Sequence, residues 1–276
     1  MKRKVKVRIE TNFIYLAILI ICVVSVFPYF WMILISLKQA HQVYQPHVWF
    51  FRPDFSNFLI VFRTHDLSSY LVNSAIVAAT NCFFSLVLGS TTAYALSRFR
   101  FKGRERFAYF LLFIRILPAA ASMIPAFVIA GLLRVRDTHG VLIVVYMLFN
   151  VPFTVLMMRG FFDEIPREVE EAAMIDGCTV IQTLRKIVIP LAMPGLVATA
   201  IFCIINAWNE FVYAMVLTIF RASTVPTFVQ MFKTVSGIVW GEMTAVGTIS
   251  TLPILIFAII VQKHMVRGLS FGAVKD

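Results

Sequence analysis

Apolar positions along the chain fall into six long runs separated by shorter polar segments. The runs cover approximately Phe13–Leu37, Leu67–Leu96, Phe107–Leu133, Val141–Met158, Ile189–Trp208 and Met243–Gln262. A helix rises about 1.5 Å per residue, so roughly 20 apolar residues cross a hydrocarbon core of about 30 Å. None of the runs alternates polar and apolar residues over about ten positions, which argues against spanning strands. The pattern therefore predicts an all-α integral membrane chain with six transmembrane helices. The fourth run is short, the second is longer than one crossing needs, and the fifth can extend past Glu210 towards Phe220. Pro118, Pro125, Pro152, Pro194 and Pro253 lie within or at the ends of these spans. Each removes a backbone donor, so neighbouring helices must cover the freed carbonyls.

Composition agrees with the pattern. Of the 276 residues, 60% are hydrophobic and 14% charged, and the mean hydropathy is +0.85. Such a chain is too apolar for disorder, and four cysteines are too few for a disulfide-built secreted scaffold. The basic run Lys2, Arg3, Lys4, Lys6, Arg8 is followed by 26 uncharged residues, Asn12 to Leu37, which fits a spanning helix better than a cleaved signal.

The net charge of +11 has a topological reading rather than a nucleic-acid one, because the basic residues cluster in short loops beside apolar runs. The N-terminus, the loops 98–106 and 159–186, and the tail from 263 together hold 17 Lys and Arg. The loops on the other side hold 7, and Arg115 lies inside a span. The first set is expected to face the cytoplasm, with both termini inside.

The loop between spans four and five breaks the charge pattern. Six of the chain's 14 acids lie between Asp163 and Asp176, on the side where basic residues are expected. Pro166 suits a helix first turn, and Glu168, Glu170 and Glu171 favour its positive end. Gly177 is placed to stop that helix in a left-handed turn, and Thr179 with Gln182 forms a capping-box pattern for a second. The prediction is a helix, a tight turn and a helix at the cytoplasmic face, with an apolar side made by Val169, Ala172, Ala173 and Ile175. An interfacial helix against anionic lipid usually carries Lys and Arg, so these acids favour a protein partner.

Glu171-Ala172-Ala173, Gly177, Ile187 and Ile189-Pro190, at this spacing, resemble the cytoplasmic EAA signature of ABC-importer permeases, with Ile189 where Leu is usual. Further segments are similar to the carbohydrate-uptake branch: Asn73-Ser74, Tyr94 to Phe99, Ala207 to Phe211, and the tail Arg267 to Lys275. The resemblance implies one transmembrane domain over residues 1–276 with the type I importer permease fold, in a bacterial inner membrane. It implies a coupling loop at about 163–186, in which Glu171, Ala172, Ala173, Asp176, Gly177, Ile187 and Pro190 carry the ATPase contact. It also implies an outer loop at about 218–243 that meets the binding protein. The partners so implied are a second homologous permease, two ATPase subunits, an extracytoplasmic solute-binding protein and membrane lipid. ATP and Mg would be held by the ATPase subunits. No Gly-Lys-Ser or Gly-Lys-Thr occurs in this chain, so no P-loop is present and no cofactor of its own is expected. Import of a sugar, oligosaccharide or related solute is the function the resemblance implies.

Several residues remain open between a structural and a functional role. Arg115, deep in span three, either snorkels to the near interface or faces a wet cavity, where it would meet solute or the partner permease. Asn206, Trp208, Asn209 and Glu210 form either a solvated helix end or a polar lip with Trp208 stacked on a sugar ring. Asn150, just before Pro152, is a further candidate for the path. His41, His47 and His65 lack ligand spacing, so no metal is expected. No catalytic constellation emerges. A secondary transporter or channel is the competing reading, but it would bury ionisable residues in several spans.

Overall fold

In the computed structural model, residues 2–45, 47–235 and 237–270 are described, with side chains from Thr11 to Ile259 within those ranges. The side chains of the basic N-terminal run lie outside the described part, as does the tail segment from Phe271. The chain divides into two compact units: residues up to Leu67 with Met231–Thr251, and Ser68–Gln230 with the chain from Leu252.

In the first unit, α1 (Lys2–Ser36) is long enough to cross a membrane from Thr11 onwards, and no side chain of its most apolar window is buried. Two short helices follow, α2 (Ala40–Val43) and α3 (Ser56–Arg63). Asn57 of α3 donates from Nδ2 to the carbonyls of Ser36 (2.9 Å) and Lys38 (3.0 Å), which satisfies acceptors left open at the end of α1. Lys38 is buried, with Nζ 5.6 Å from the ring centroids of both Trp31 and Phe51.

The second unit begins with α4 (Leu67–Arg98) and α5 (Arg104–Ile116), linked by a turn in which Gly103 holds φ +91°. Then come α6 (Ala119–Leu132) and α7 (His139–Asp163). The span over Phe107–Leu133 is broken at one of its prolines. α5 and α6 meet at 92°, because Leu117 and Pro118 are extended and Pro118 has no N–H to continue the ladder. After α7 the chain forms α8 (Arg167–Ile175), α9 (Val180–Thr183), a wide π turn (Leu184–Val188), α10 (Ile189–Leu191) and α11 (Met193–Asn209). Span five is also bent, by 80° between Leu191 and Met193. It stops at Asn209 instead of continuing, and a separate α12 (Val212–Leu217) folds back. Among the described residues, four helices are long and apolar enough to cross a membrane, and counting each bent pair as one crossing makes six.

The core of this unit lies where α4, α7 and α11 meet. Gly89 of α4 sits so close to α7 that a Cβ there would approach Thr154 Cβ to 2.4 Å, and Gly195 would approach the Phe161 ring to 2.3 Å. Small residues permit these backbone approaches in a membrane bundle. The segment leading to α13 (Val225–Phe228) is tied down by side chains from elsewhere. Asp137, itself at φ +58°, accepts hydrogen bonds from the backbone N–H groups of Ile219, Phe220, Arg221 and Ala222 at 3.1–3.3 Å. Asn73 donates to the carbonyls of Arg221 and Ser223, and Ser74 Oγ accepts from Val225 N at 2.9 Å.

Back in the first unit, a small hairpin pairs β1 (Lys233–Thr234) with β2 (Gly237–Ile238), antiparallel, with Gly237 at φ +128° and Val235 fully exposed at the tip. The Tyr44 hydroxyl donates to Ile238 O at 2.8 Å. The last helix, α14 (Trp240–Ser270), starts in this unit and carries Pro253 in its interior.

Candidate functional site

Two places in the second unit gather the residues singled out from the sequence. The first is the short helix α8 and its continuation. Pro166 is its N-cap residue, Glu168 and Glu170 lie in its first turn, and Gly177 ends it at φ +88°. Thr179 and Gln182 form a complete capping box: Gln182 N donates to Thr179 Oγ1 (3.3 Å) and Thr179 N to Gln182 Oε1 (2.9 Å). A π turn follows, and Ile189 N reaches back to Leu184 O. Pro190, lacking an N–H, sits at the start of α10 just beyond.

The helix presents two faces. Glu170 and Ala173 are buried, while Glu171, Ala172, Asp176 and Gly177 are exposed beside Val169, Met174 and Ile175, the last at 86%. Ile187 is half-buried and Pro190 exposed. The predicted apolar side of Val169, Ala172, Ala173 and Ile175 is thus split, since only Ala173 packs inward. Glu170 is a residue the sequence reading grouped with the other acids. Its carboxylate accepts from Arg98 Nε (2.6 Å) and from the Tyr94 hydroxyl (2.7 Å). The one signal for it was a pair of polar groups, Tyr94 and Arg98, one helical turn apart at the end of a span.

The second place is a cavity of about 470 Å³ at the bend between α5 and α6. Arg115, Ser122, Phe149, Asn206, Glu210 and Tyr213 are among its lining residues. Its volume lies within the range of about 300–1,000 Å³ usual for small-ligand sites. Arg115 is in the last turn of α5, where exposed carbonyls favour a cation. Its Nη1 donates to Phe149 O at 3.2 Å, and its guanidinium lies 4.6 Å from the Phe153 ring centroid. Glu210 accepts from Tyr213 N and Ala214 N and so caps α12. The Ser122 and Tyr213 hydroxyls hydrogen-bond each other across the cavity wall, and Phe149 stacks against Tyr213 with ring centroids 6.3 Å apart.

The other path candidates lie off the cavity. Asn150 is fully buried behind it: Nδ2 donates to Asn81 Oδ1 (2.6 Å) and Cys203 O (3.1 Å), and Oδ1 accepts from Asn206 Nδ2 (3.3 Å). Trp208 is 7% exposed and packs in the core with Tyr146, Ala214 and Leu217, so it is no stacking platform for a ring in the cavity. Asn209 is exposed and donates to Ile205 O, away from the lining. Asn81, absent from the sequence reading, is the buried end of this amide chain and donates to Ile143 O at 2.9 Å. Among the described residues no group of three or more His, Cys, Asp or Glu is arranged to hold a metal; His65 lies 3.2 Å from Glu242.

Residues 85–271 match the family of binding-protein-dependent transport system inner membrane components. The chain is 35% identical to the diacetylchitobiose uptake system permease protein DasC of Streptomyces coelicolor, over 91% of this chain and 92% of that one. It is 33% identical to the trehalose/maltose transport system permease protein MalG of Thermococcus litoralis, over 93% and 94% respectively. A crystal structure of a bacterial ABC transporter involved in import of the acidic polysaccharide alginate superposes with a TM-score of 0.77. The identity there is 25%, with 93% of this chain and 96% of that chain covered.

Proposed function

The chain belongs to the binding-protein-dependent transport system inner membrane components, and from that premise we propose a carbohydrate as its solute and α8 as its contact with the ATPase. It is a multi-pass permease subunit of an ABC importer with the type I fold, a transport subunit and not an enzyme. Relatives named for trehalose or maltose and for diacetylchitobiose align over nine-tenths of the chain, which supports a sugar, oligosaccharide or related solute. Hydroxyl and amide groups of Ser122, Tyr213 and Asn206 at the cavity suit such a solute, with Arg115 and Glu210 as the charged lining.

The observation that carries the coupling role is the exposed face of α8. Glu171, Ala172, Asp176 and Gly177 project beside apolar side chains that have no cover within the described residues. Small residues there let a partner surface come close, and Glu171 is free to accept charge-assisted hydrogen bonds. Ile187 lies within the π turn that joins this helix to span five, and Pro190 lies just beyond it. In this reading a second permease completes the path, and two ATPase subunits hold ATP and Mg. Both termini and α8 face the cytoplasm, and the hairpin segment within 218–243 faces the binding protein. Uptake of labelled solutes by a deletion strain, screened over sugars and amino acids, tests the solute class. Loss of uptake for one saccharide is expected, and loss confined to amino acids would refute it.

A further inference from the structure

Glu170 and Arg98 are 6% and 10% exposed in their side chains, and every strong polar atom of the pair is engaged. Arg98 Nε donates to Glu170 Oε1, and Tyr94 donates to Oε2. Arg98 Nη1 donates to Ser97 Oγ (3.0 Å), and Nη2 donates to the carbonyls of Phe162 (2.7 Å) and Ile165 (2.9 Å). One guanidinium rooted in α4 therefore grips the end of α7, the connection beyond it and the carboxylate of α8. The Phe162 carbonyl belongs to the last turn of α7, where helices leave acceptors open. Apolar side chains would hold three elements together at least as firmly, since burying two charges costs desolvation. What they would not supply is a fixed direction: the planar fork accepts only one arrangement of its four acceptors.

We propose that Tyr94, Arg98 and Glu170 form a positioning joint that makes α8 move as one body with α4 and α7, so that ATP hydrolysis and solute movement stay in proportion. The proposal rests on the reading of α8 as the ATPase-facing helix. None of the three residues lines the cavity at the bend between α5 and α6. Without the joint, α8 follows the ATPase while α4 and α7 lag, and hydrolysis proceeds without transport.

The test is the number of ATP molecules hydrolysed per solute accumulated, measured on the complete transporter in proteoliposomes with its binding protein. A purely structural defect lowers both rates together and leaves the ratio unchanged. Arg98→Lys keeps the charge but offers no planar fork, and the ratio is expected to rise several-fold, about fivefold. Tyr94→Phe keeps the packed ring and removes one hydroxyl, so it assembles normally; a rise of about twofold is expected. The double variant Arg98→Met with Glu170→Met restores apolar packing and is expected to assemble yet remain uncoupled. An unchanged ratio in assembled Tyr94→Phe and double-Met transporters overturns the joint. If no ATPase co-purifies with the unaltered chain, it is the reading of α8 that fails instead.

Discussion

Replacing Asp137 with Asn should loosen the segment 218–225 without disturbing the spans. The Asp137 carboxylate gathers four consecutive backbone N–H groups, from Ile219 to Ala222. Hydrogen bonds to a charged group contribute about 1.5–3 kcal/mol each where water is excluded. Asp137 is only half-buried and the freed N–H groups regain water, so a net contribution of about 2 kcal/mol for the whole cluster is the better figure. Asn tolerates the left-handed backbone at φ +58° but has one acceptor oxygen and no charge. About half the cluster's contribution should therefore be lost, roughly a fivefold rise in local opening. Asp137→Ala should lose all of it and add backbone strain of about 1–2 kcal/mol. Hydrogen–deuterium exchange of peptides covering 218–225, in purified transporter, reads this directly. Partial burial pushes the Asp137 pKa up, but the N–H groups of Ile219, Arg221, Ala222 and Phe220 outweigh it and hold the carboxyl below its ordinary value. Its contribution is thus complete above the ordinary carboxylate pKa of about 3.9 and fades as pH falls through the lower, folded-state value. Unchanged exchange in Asp137→Asn at neutral pH would show that the four hydrogen bonds do not hold this segment.

Three further outcomes are expected. Gly177→Leu forces a branched side chain into φ +88° at an open surface, at a conformational cost of about 1–2 kcal/mol, so co-purification of the ATPase should drop while the amount of chain in the membrane holds steady; full retention would refute the docking role. Gly195→Ala drives a methyl into the Phe161 ring and should destabilise the solubilised chain by about 1–3 kcal/mol, whereas Gly160→Ala, with nothing within 4 Å, should not; equal melting temperatures for the two would contradict the packing. Replacing the hairpin 233–238 with a short glycine link should lower binding-protein-stimulated ATP hydrolysis and spare basal hydrolysis; this cut leaves 221–225 on its Asp137, Asn73 and Ser74 anchors, and undiminished stimulation would leave the hairpin without that role.

What the sequence disclosed was decided locally. Pro166, Gly177 and the Thr179–Gln182 pair act within a few residues of themselves, so the helix–turn–helix between spans four and five could be drawn in detail. The membrane runs were visible because their apolar content is continuous, but the apolar residues beyond Glu210 left the end of span five open, and the structure ends it at Asn209. The bends were not visible, because Pro118 and Pro194 mark loosened turns without saying how far the axis swings. Trp208 illustrates a different loss. Its preference for an interface was a sound expectation for a helix end, yet α12 folds back and covers it with Ala214 and Leu217. The roles of Glu170 and Asn150 depend on Arg98 and Asn81, each about 70 residues away in the chain, and no local pattern separates Glu170 from Glu171.

The bend between α5 and α6 also constrains the order in which the chain matures. With 13 residues, α5 is about 20 Å long and too short to cross the hydrocarbon by itself. Besides the Pro118 break itself, α12 helps to hold the bent form, since Tyr213 meets Ser122 across 91 residues of sequence. The wall of the cavity, which includes Asn206, Glu210 and Tyr213, is therefore complete only once α11 and α12 have been made, well after α5 and α6.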